Sequence, residues 1–523
     1  MSTHSKAAAK FIADADRTAW HDKALYAVRE KRDKMARTVP EWEDLRRMSS
    51  EIKRHTLSHL GHYLEEFERN ATANGMAVHW AADADEMNAT VWRLVQEHGG
   101  RNLVKSKSML SEECGLTPYL RERGVDAVES DLGERIMQLL ELPPSHIVLP
   151  AIGVRREEVG ELFEREFGTE HGNSDPTYLT HEARRQLRPK FLGADIAMTG
   201  VNFAVASTGT LAVCTNEGNA DMGTSFPDLH IAIMGLEKVV PDYRSLAVFT
   251  RLLARSATGQ PVTAYTSLYR RPEPGKQIHV VIVDNGRTES LRNEAHRNML
   301  KCLRCGACMN TCPVYRRSGG YSYSYFIPGP LGINLSMLRS PKLHHGNVSA
   351  CSLCYSCSDV CPAMIDLGEQ IYAWRQELAP MHLADPVKKL TVKGMDFIMG
   401  GRRRFYGGIA LARPMHIFCS FWSFVLMALH LGLHWKMVLG MVRWVTGPVS
   451  SPVLRGTLRI GGAAVAVYGL YALVKNQMVS YLLLQSSFVF FDFERPLPLF
   501  FTEYPSWGCL FFWPTTVRGE CSG

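Results

Sequence analysis

Two copies of one cysteine spacing, Cys302-x2-Cys305-x2-Cys308-x3-Cys312-Pro313 and Cys351-x2-Cys354-x2-Cys357-x3-Cys361-Pro362, take up eight of the 13 cysteines of this 523-residue chain. A cubane iron–sulfur cluster needs four thiolates converging on one compact body. Two-residue gaps let successive sulfurs point inward from a tight turn whose N–H groups reach the inorganic sulfides. The repeat predicts two [4Fe-4S] clusters and a chain that moves electrons. In bacterial runs of this kind the first three cysteines hold one cluster and the fourth, just before proline, reaches across to the other. On that rule Cys302, Cys305, Cys308 and Cys361 bind one cluster, and Cys351, Cys354, Cys357 and Cys312 bind the second. Gly306, Ala307 and Ser356 are small enough for close backbone approach, and Pro313 and Pro362 each stand where a helix can open without losing a needed N–H. Lys301, Arg304, Arg316 and Arg317 flank the first run and favour the more anionic, reduced state.

Two other uses of the cysteines fit less well. Zinc is satisfied by two CxxC pairs and leaves the third cysteine and the proline of each copy unexplained. Disulfides need an oxidising compartment, whereas the opening MSTHSKAAAKFIADADRTAW lacks an apolar core of signal-peptide length; a reducing cytoplasm is expected. The net charge of +7 is spread, acids alternating with bases through the first 170 positions, which argues against a nucleic-acid partner.

The expected architecture is α/β plus all-α. Residues 1–70 read as a helical lead segment, Phe11 to Lys34 and Trp42 to Asn70 being parted by Pro40. Residues 71–293 read as an α/β domain with a largely parallel sheet. Its strands are expected at Asn102–Val104, His146–Leu149, Val201–Ala206, Leu211–Thr215, His230–Met234 and His279–Val283, with helices at Leu132–Leu142 and Glu157–Phe167. Residues 294–380 form an α-helical ferredoxin domain, with helices at Glu294–Leu300 and Gly368–Leu378 and a turn-rich connection of 38 residues between Cys312 and Cys351.

Residues 381–445 are a helical extension. Met415–Trp435 has no Asp, Glu, Lys or Arg over 21 residues and as a helix would reach about 32 Å, bilayer thickness. Its His416, His430 and His434 and the basic block Gly401–Arg404 favour an interfacial or buried helix over a span, so a peripheral membrane contact is retained. Residues 446–523 read as an apolar, irregular tail.

Three glycine-centred turns, Thr199-Gly200-Val201-Asn202, Thr208-Gly209-Thr210 and Asn216-Glu217-Gly218-Asn219, follow or interrupt strands, where parallel sheets bind ligands. Two readings stay open: a pocket for a small carboxylate or phosphate, or glycines that merely supply positive φ. No GxGxxG follows a strand and no Walker loop is present, so nucleotide binding lacks support. Lys105-Ser106-Lys107-Ser108 and the Glu129, Asp131, Glu134 group are expected to be solvated loop charge rather than an anion cradle or acid–base pair. His430 and His434 lack a third ligand, and Cys114, Cys214 and Cys419 are expected to be buried thiols.

The cysteine runs combine with Val104-Lys105-Ser106-Lys107-Ser108-Met109, Pro143-Pro144-Ser145-His146, Thr215-Asn216-Glu217-Gly218-Asn219 and Val283-Asp284-Asn285-Gly286-Arg287. Together they resemble the LutB-type family of lactate-utilisation iron–sulfur proteins over roughly residues 10–410. The resemblance implies an LUD domain, similar in fold to sugar-phosphate isomerases and CoA transferases, followed by the twin-cluster domain. It also implies a cytoplasmic electron-transfer subunit of a multi-subunit system that oxidises L-lactate to pyruvate. The implied partners are a cysteine-rich heterodisulfide-reductase-like subunit and a second LUD-domain subunit. Two positions depart from the family: Ser207 stands where a Glu usually precedes Thr-Gly, and Gly153 where a His commonly follows Pro-Ala-Ile. No catalytic residue is carried over. Two rivals remain: an LUD enzyme acting on a small phosphorylated or CoA-linked acid, its clusters structural or redox-sensing, and a membrane-docked adaptor delivering electrons to quinone. Ser207 weighs against the first by removing an acid–base candidate.

Overall fold

The computed structural model describes residues 3–323, 325–381 and 386–433 and four isolated positions beyond. Residues 1–384 form one unit and 385–523 a second.

The first unit opens with helices Thr3–Ile12, Ala15–Arg37, Trp42–Ser58 and Leu60–Ala73. Asp14 starts the second by accepting the Arg17 N–H, and a break at His59 divides the stretch expected as one helix over Trp42–Asn70. These helices are not an appendage. Leu25, Trp42 and Leu45 share one core with Cys305, Cys312, Cys357 and Cys361. Lys53, 2% exposed, donates to the Glu237 carbonyl at 2.5 Å, tying the lead to the α/β domain.

Ten strands follow: β1 (Ala77–Ala81), β2 (Asn102–Lys105), β3 (Asp126–Glu129), β4 (Ile196–Gly200), β5 (Phe203–Val205), β6 (Thr210–Thr215), β7 (Leu229–Gly235), β8 (Val239–Val240), β9 (Tyr265–Tyr269) and β10 (Gln277–Val283). Six make a sheet in the order β1-β10-β7-β4-β2-β3, every adjacent pair parallel. β7 is buried along its whole length, as an inner strand covered on both faces must be. Met87, Val91 and Leu94 from helix Ala84–His98 pack with Leu103, Ile231 and Val283, while Phe67 and Ala71 pack with Ala232, Val280 and Ile282. The parallel α/β expectation holds, but a second, mixed sheet, β8-β5-β6-β9, is not legible in the sequence. β5 and β6 fall at the expected stretches Val201–Ala206 and Leu211–Thr215, but β8, of two residues, is too short to show a period.

Three local expectations are corrected. His146–Leu149 is an irregular loop, because Pro143, Pro144 and Pro150 deny it ladder donors and His146 Nδ1 accepts the N–H groups of Val148 and Leu149, each at 3.0 Å. The connection between the cysteine runs is mainly helical, with Pro313–Ser318, Gly329–Arg339 and Pro341–Ala350 each carrying proline in its opening turn. The Gly319-Gly320 and Pro328-Gly329 signals mark only the joints between those helices. Before the first run, Arg297–Lys301 is a short 3-10 turn instead of a helix over Glu294–Leu300. Helix Leu367–Leu378 follows the second run as expected, with the Asp366 side chain accepting the Glu369 N–H.

The second unit contains helices Pro386–Met399 and Arg402–Leu433. Among the described residues no helix is long and apolar enough to cross a membrane. His434, Trp435 and nearly all of the tail expected over 446–523 lie outside the described residues.

Candidate functional site

Each cysteine run folds into the same loop. Arg304 and Gly306 have φ of +60° and +74°, and Leu353 and Tyr355, at the matching places in the second run, have +53° and +59°. Three non-glycine residues held in the left-handed region are costly unless the surroundings impose the shape. The turns aim N–H groups at sulfur: Arg304 N reaches Cys302 Sγ at 3.3 Å, Leu353 N reaches Cys351 Sγ at 3.4 Å and Tyr315 N reaches Cys312 Sγ at 3.5 Å. Gly306 is required, because a Cβ there would lie 2.9 Å from the His146 ring. Tyr355 is tolerated because its ring packs on Gly368, where a Cβ would lie 2.6 Å from it. His146 is buried and, with Nδ1 accepting, directs Nε2–H to Asn310 Oδ1 at 3.0 Å. Burial lowers its pKa to about 3, so it is neutral.

The thiols raise one another in two sets. Burial and then the charge of Cys302 push Cys305 up to about 12, with Cys361 adding to the effect. Burial raises Cys361 likewise, with Cys302 among its neighbours. Burial, then Cys302 and Cys305, raise Cys308 strongly, with smaller contributions from Cys357 and Cys361. On the other side, burial raises Cys312 to about 11 with Cys351 and Cys354 contributing, and the same three cysteines act on Cys357. Cys361 thus acts electrostatically on Cys305 and Cys308 of the first run, and Cys312 on Cys357 of the second. Repulsion among crowded thiolates is what a cationic iron core offsets, so the donor set fits cubane clusters.

Exposure differs between the two sets. Cys305 and Cys361 are buried and Cys302 and Cys308 partly so, whereas Cys354 is exposed. Pro313 opens a helix as expected; Pro362 does not, lying in a turn before Asp366 caps the next helix. Of the lone thiols, Cys114 is buried as expected, whereas Cys214 is only partly buried and Cys419 is exposed.

Beside the first cysteine loop lies a cavity of about 320 Å³ at the carboxyl ends of β2, β4 and β7, where open parallel sheets receive ligands. Gly200, Asn202, Asn216, Glu217 and Asn219 line it, together with Lys107, Asp131, Lys238, Arg304 and Cys305. Thr199 lies beneath, hydrogen-bonded to His230 Nε2 at 2.8 Å, and Gly218, with φ of +68°, packs against Tyr265. Thr208 and Gly209 belong elsewhere. Their turn is pressed on helix Leu60–Ala73, with the Thr208 carbonyl accepting from Asn74 Nδ2 at 2.8 Å and a side chain at Gly209 excluded by the Ala71 backbone. Ser207 is exposed on that turn, and the Gly153 carbonyl accepts from Arg17 Nη1 at 2.8 Å, so both departures from the family lie outside the cavity wall.

The charges around β2 are not solvated. Lys105, 2% exposed, sits in register between Met198 and Glu129 and donates to Glu129 Oε1 at 2.7 Å and Glu112 Oε1 at 3.1 Å. Glu134 is also buried, which raises its pKa to about 8. Arg287, from the Asn-Gly-Arg segment, pairs with Glu237 at 2.6 Å and Glu113 at 2.9 Å. Burial alone would raise Glu237, but Arg287, Lys238 and Arg304 hold it down at about 2. Sequence reasoning misses Glu237 and Lys238; the available signal is an acid–base pair just past the end of an apolar parallel strand.

Residues 64–289 match the LUD domain family and residues 298–365 the 4Fe-4S dicluster domain family. Two such clusters are therefore the chain's cofactors. Lactate utilization protein B of Oceanobacillus iheyensis is 41% identical over 374 residues, covering 70% of this chain and 78% of that protein. Its counterpart in Bacillus pumilus is 42% identical over 378 residues, 71% of this chain and 79% of the relative. An Escherichia coli protein described as the uncharacterized electron transport protein YkgF is 40% identical over 369 residues, 69% of this chain and 77% of its own.

Proposed function

The chain belongs to the lactate utilization protein B family, and from that premise we propose that it is the iron–sulfur electron-transfer subunit of a multi-subunit system oxidising L-lactate to pyruvate. Cys302, Cys305, Cys308 and Cys361 hold one cluster and Cys351, Cys354, Cys357 and Cys312 the other. The observation that supports this assignment is that Cys361 acts on Cys305, Cys302 on Cys361, and Cys351 and Cys354 on Cys312, across the two runs. When bound, the clusters supply one-electron transfer at potentials tuned by N–H donors and solvent access. The protein's part is to hold and tune. Backbone N–H groups of Arg304, Leu353 and Tyr315 point at sulfur, the lead helices shut water from Cys361, and Arg304 brings a cation to the first loop. Cys305 lines the cavity and Cys354 is exposed, so a cluster held through the first would stand beside the cavity and one held through the second would be within reach of a partner.

The partners in this reading are a cysteine-rich heterodisulfide-reductase-like subunit and a second LUD-domain subunit. The location is cytoplasmic, where thiols stay reduced. Exposed Arg402, Arg403 and Arg404 supply the charge for a peripheral membrane contact.

Anaerobic reconstitution with iron counting and EPR tests the reading. Two interacting paramagnetic clusters and about eight irons per chain are expected; two zinc ions per chain instead would overturn it. The enzymatic alternative keeps one supporting observation, the Glu217 carboxyl, which burial and Asp131 raise towards its protonated form inside the cavity. Turnover of a small phosphorylated or CoA-linked acid by the isolated chain, without added partners and without reduction of the clusters by lactate, would select that alternative.

A further inference from the structure

The cavity at the strand ends contains a lysine, Lys238, that makes no hydrogen bond or ion pair of its own among the described residues, although Glu237 precedes it. Arg287 is shared by Glu113 and Glu237, and Lys107 faces Asp131 at 3.6 Å. In the same wall Arg304 meets Glu237 at 3.6 Å and leaves Nη1 buried without a partner, as Thr215 leaves its hydroxyl. Asn202 Oδ1 is taken up by the Cys214 N–H at 2.9 Å, while its amide N–H groups have no partner among the described residues. Buried polar atoms are normally satisfied, so a wall with several open donors is arranged for something absent from the chain itself.

What they would take is a small anion. A planar guanidinium beside an ammonium suits a carboxylate, and the Asn202 amide and Thr215 hydroxyl suit an oxygen on the neighbouring carbon. The volume of about 320 Å³ is at the low end for ligand sites, too small for a CoA-sized molecule.

The same cations face the first cysteine loop. Cys302 is near enough to act electrostatically on Lys238, and Arg304 lies between Cys302 and Cys305 in the chain. We propose that Lys238 and Arg304 bind a small 2-hydroxy or 2-oxo carboxylate and, being shared between that ligand and the cluster held through Cys302 and Cys305, link its binding to the redox state. The proposal rests on the cluster assignment above. A neighbouring cation favours the added electron, and a bound carboxylate offsets that cation, so occupancy lowers the reduction potential. By reciprocity the reduced protein binds the acid more weakly, by the same factor.

The test is an EPR-monitored potentiometric titration of the reconstituted full chain, with and without pyruvate. A tenfold difference in affinity between redox states shifts a one-electron potential by about 59 mV. A downward shift of that order is expected in one cluster only, lost in Lys238→Met and restored in Lys238→Arg. Calorimetry on the wild-type chain, which needs no variant, is expected to give tenfold weaker pyruvate binding after dithionite reduction. No shift with pyruvate, a shift that survives Lys238→Met, or an equal shift with inorganic phosphate would overturn the proposal. Because iron content and both EPR signals are read in the same sample, intact clusters without a shift reject this inference alone, whereas missing clusters reject the assignment beneath it.

Discussion

Arg46 donates from Nε to the carbonyl of Cys361 at 3.0 Å and from Nη2 to the carbonyl of Asp359 at 2.6 Å, so a lead helix grips the last cysteine of the chain's second run. Arg32, from the preceding helix, donates to the Val360 carbonyl at 3.0 Å. Three successive carbonyls are thus satisfied by two guanidinium groups, and the Cys361 thiol is left facing the first run.

Removing that grip should loosen one cluster and spare the other. Arg46→Met is expected to cost about 1–3 kcal/mol, the penalty for stranding a buried acceptor, and to make the cluster held through Cys302 the first lost on air exposure. Iron content and the decay of each EPR signal during controlled oxygen exposure measure it.

Exchange of the fourth cysteines gives a sharper outcome. Cys361→Ser should alter the EPR signal and potential of the cluster built on Cys302, Cys305 and Cys308, and Cys312→Ser that of the other. Where the altered cluster is lost altogether, the chain should retain about four irons. A perturbation confined in each case to the cluster of the cysteine's own run would contradict the crossed assignment.

Glu134 makes stability depend on pH in a stated direction. Its folded pKa of about 8 is above the ordinary value of 4.5, so the folded state binds more protons than the unfolded one between those limits. Stability from this group is fully present below about pH 4.5 and is lost as pH rises towards 8, by at most roughly 1.4 kcal/mol per pH unit. Glu134→Gln should flatten that slope and raise the denaturation midpoint at pH 8, measured by urea unfolding across the window.

Gly209 separates folding from binding. Its φ of +62° and the Ala71 backbone against it make Gly209→Ala destabilising by at least about 1–3 kcal/mol. The variant that folds should keep the wild-type response of the clusters to pyruvate, whereas Asn202→Ala, in the cavity wall, should weaken it. Thermal melting and the potentiometric titration read the two effects separately.

The cluster-bearing half was legible in the linear pattern because its chemistry is local. Three thiols within seven residues of chain must converge on one body, and the left-handed turns at Arg304, Gly306, Leu353 and Tyr355 complete a geometry the spacing already requires. Long apolar runs such as Leu229–Gly235 likewise announce inner parallel strands. The charged half was not legible. Lys105 looks like a loop cation until register sets it beside Glu129, and Lys238 looks like any turn lysine until packing leaves it facing a cavity beside Cys302. Thr208-Gly209 and Gly200 read alike as turns, yet one is pressed on a helix and the other opens to the cavity. Periodicity and spacing depend on neighbours along the chain, whereas the state of a charge depends on which distant groups surround it, and only the packed fold brings those together.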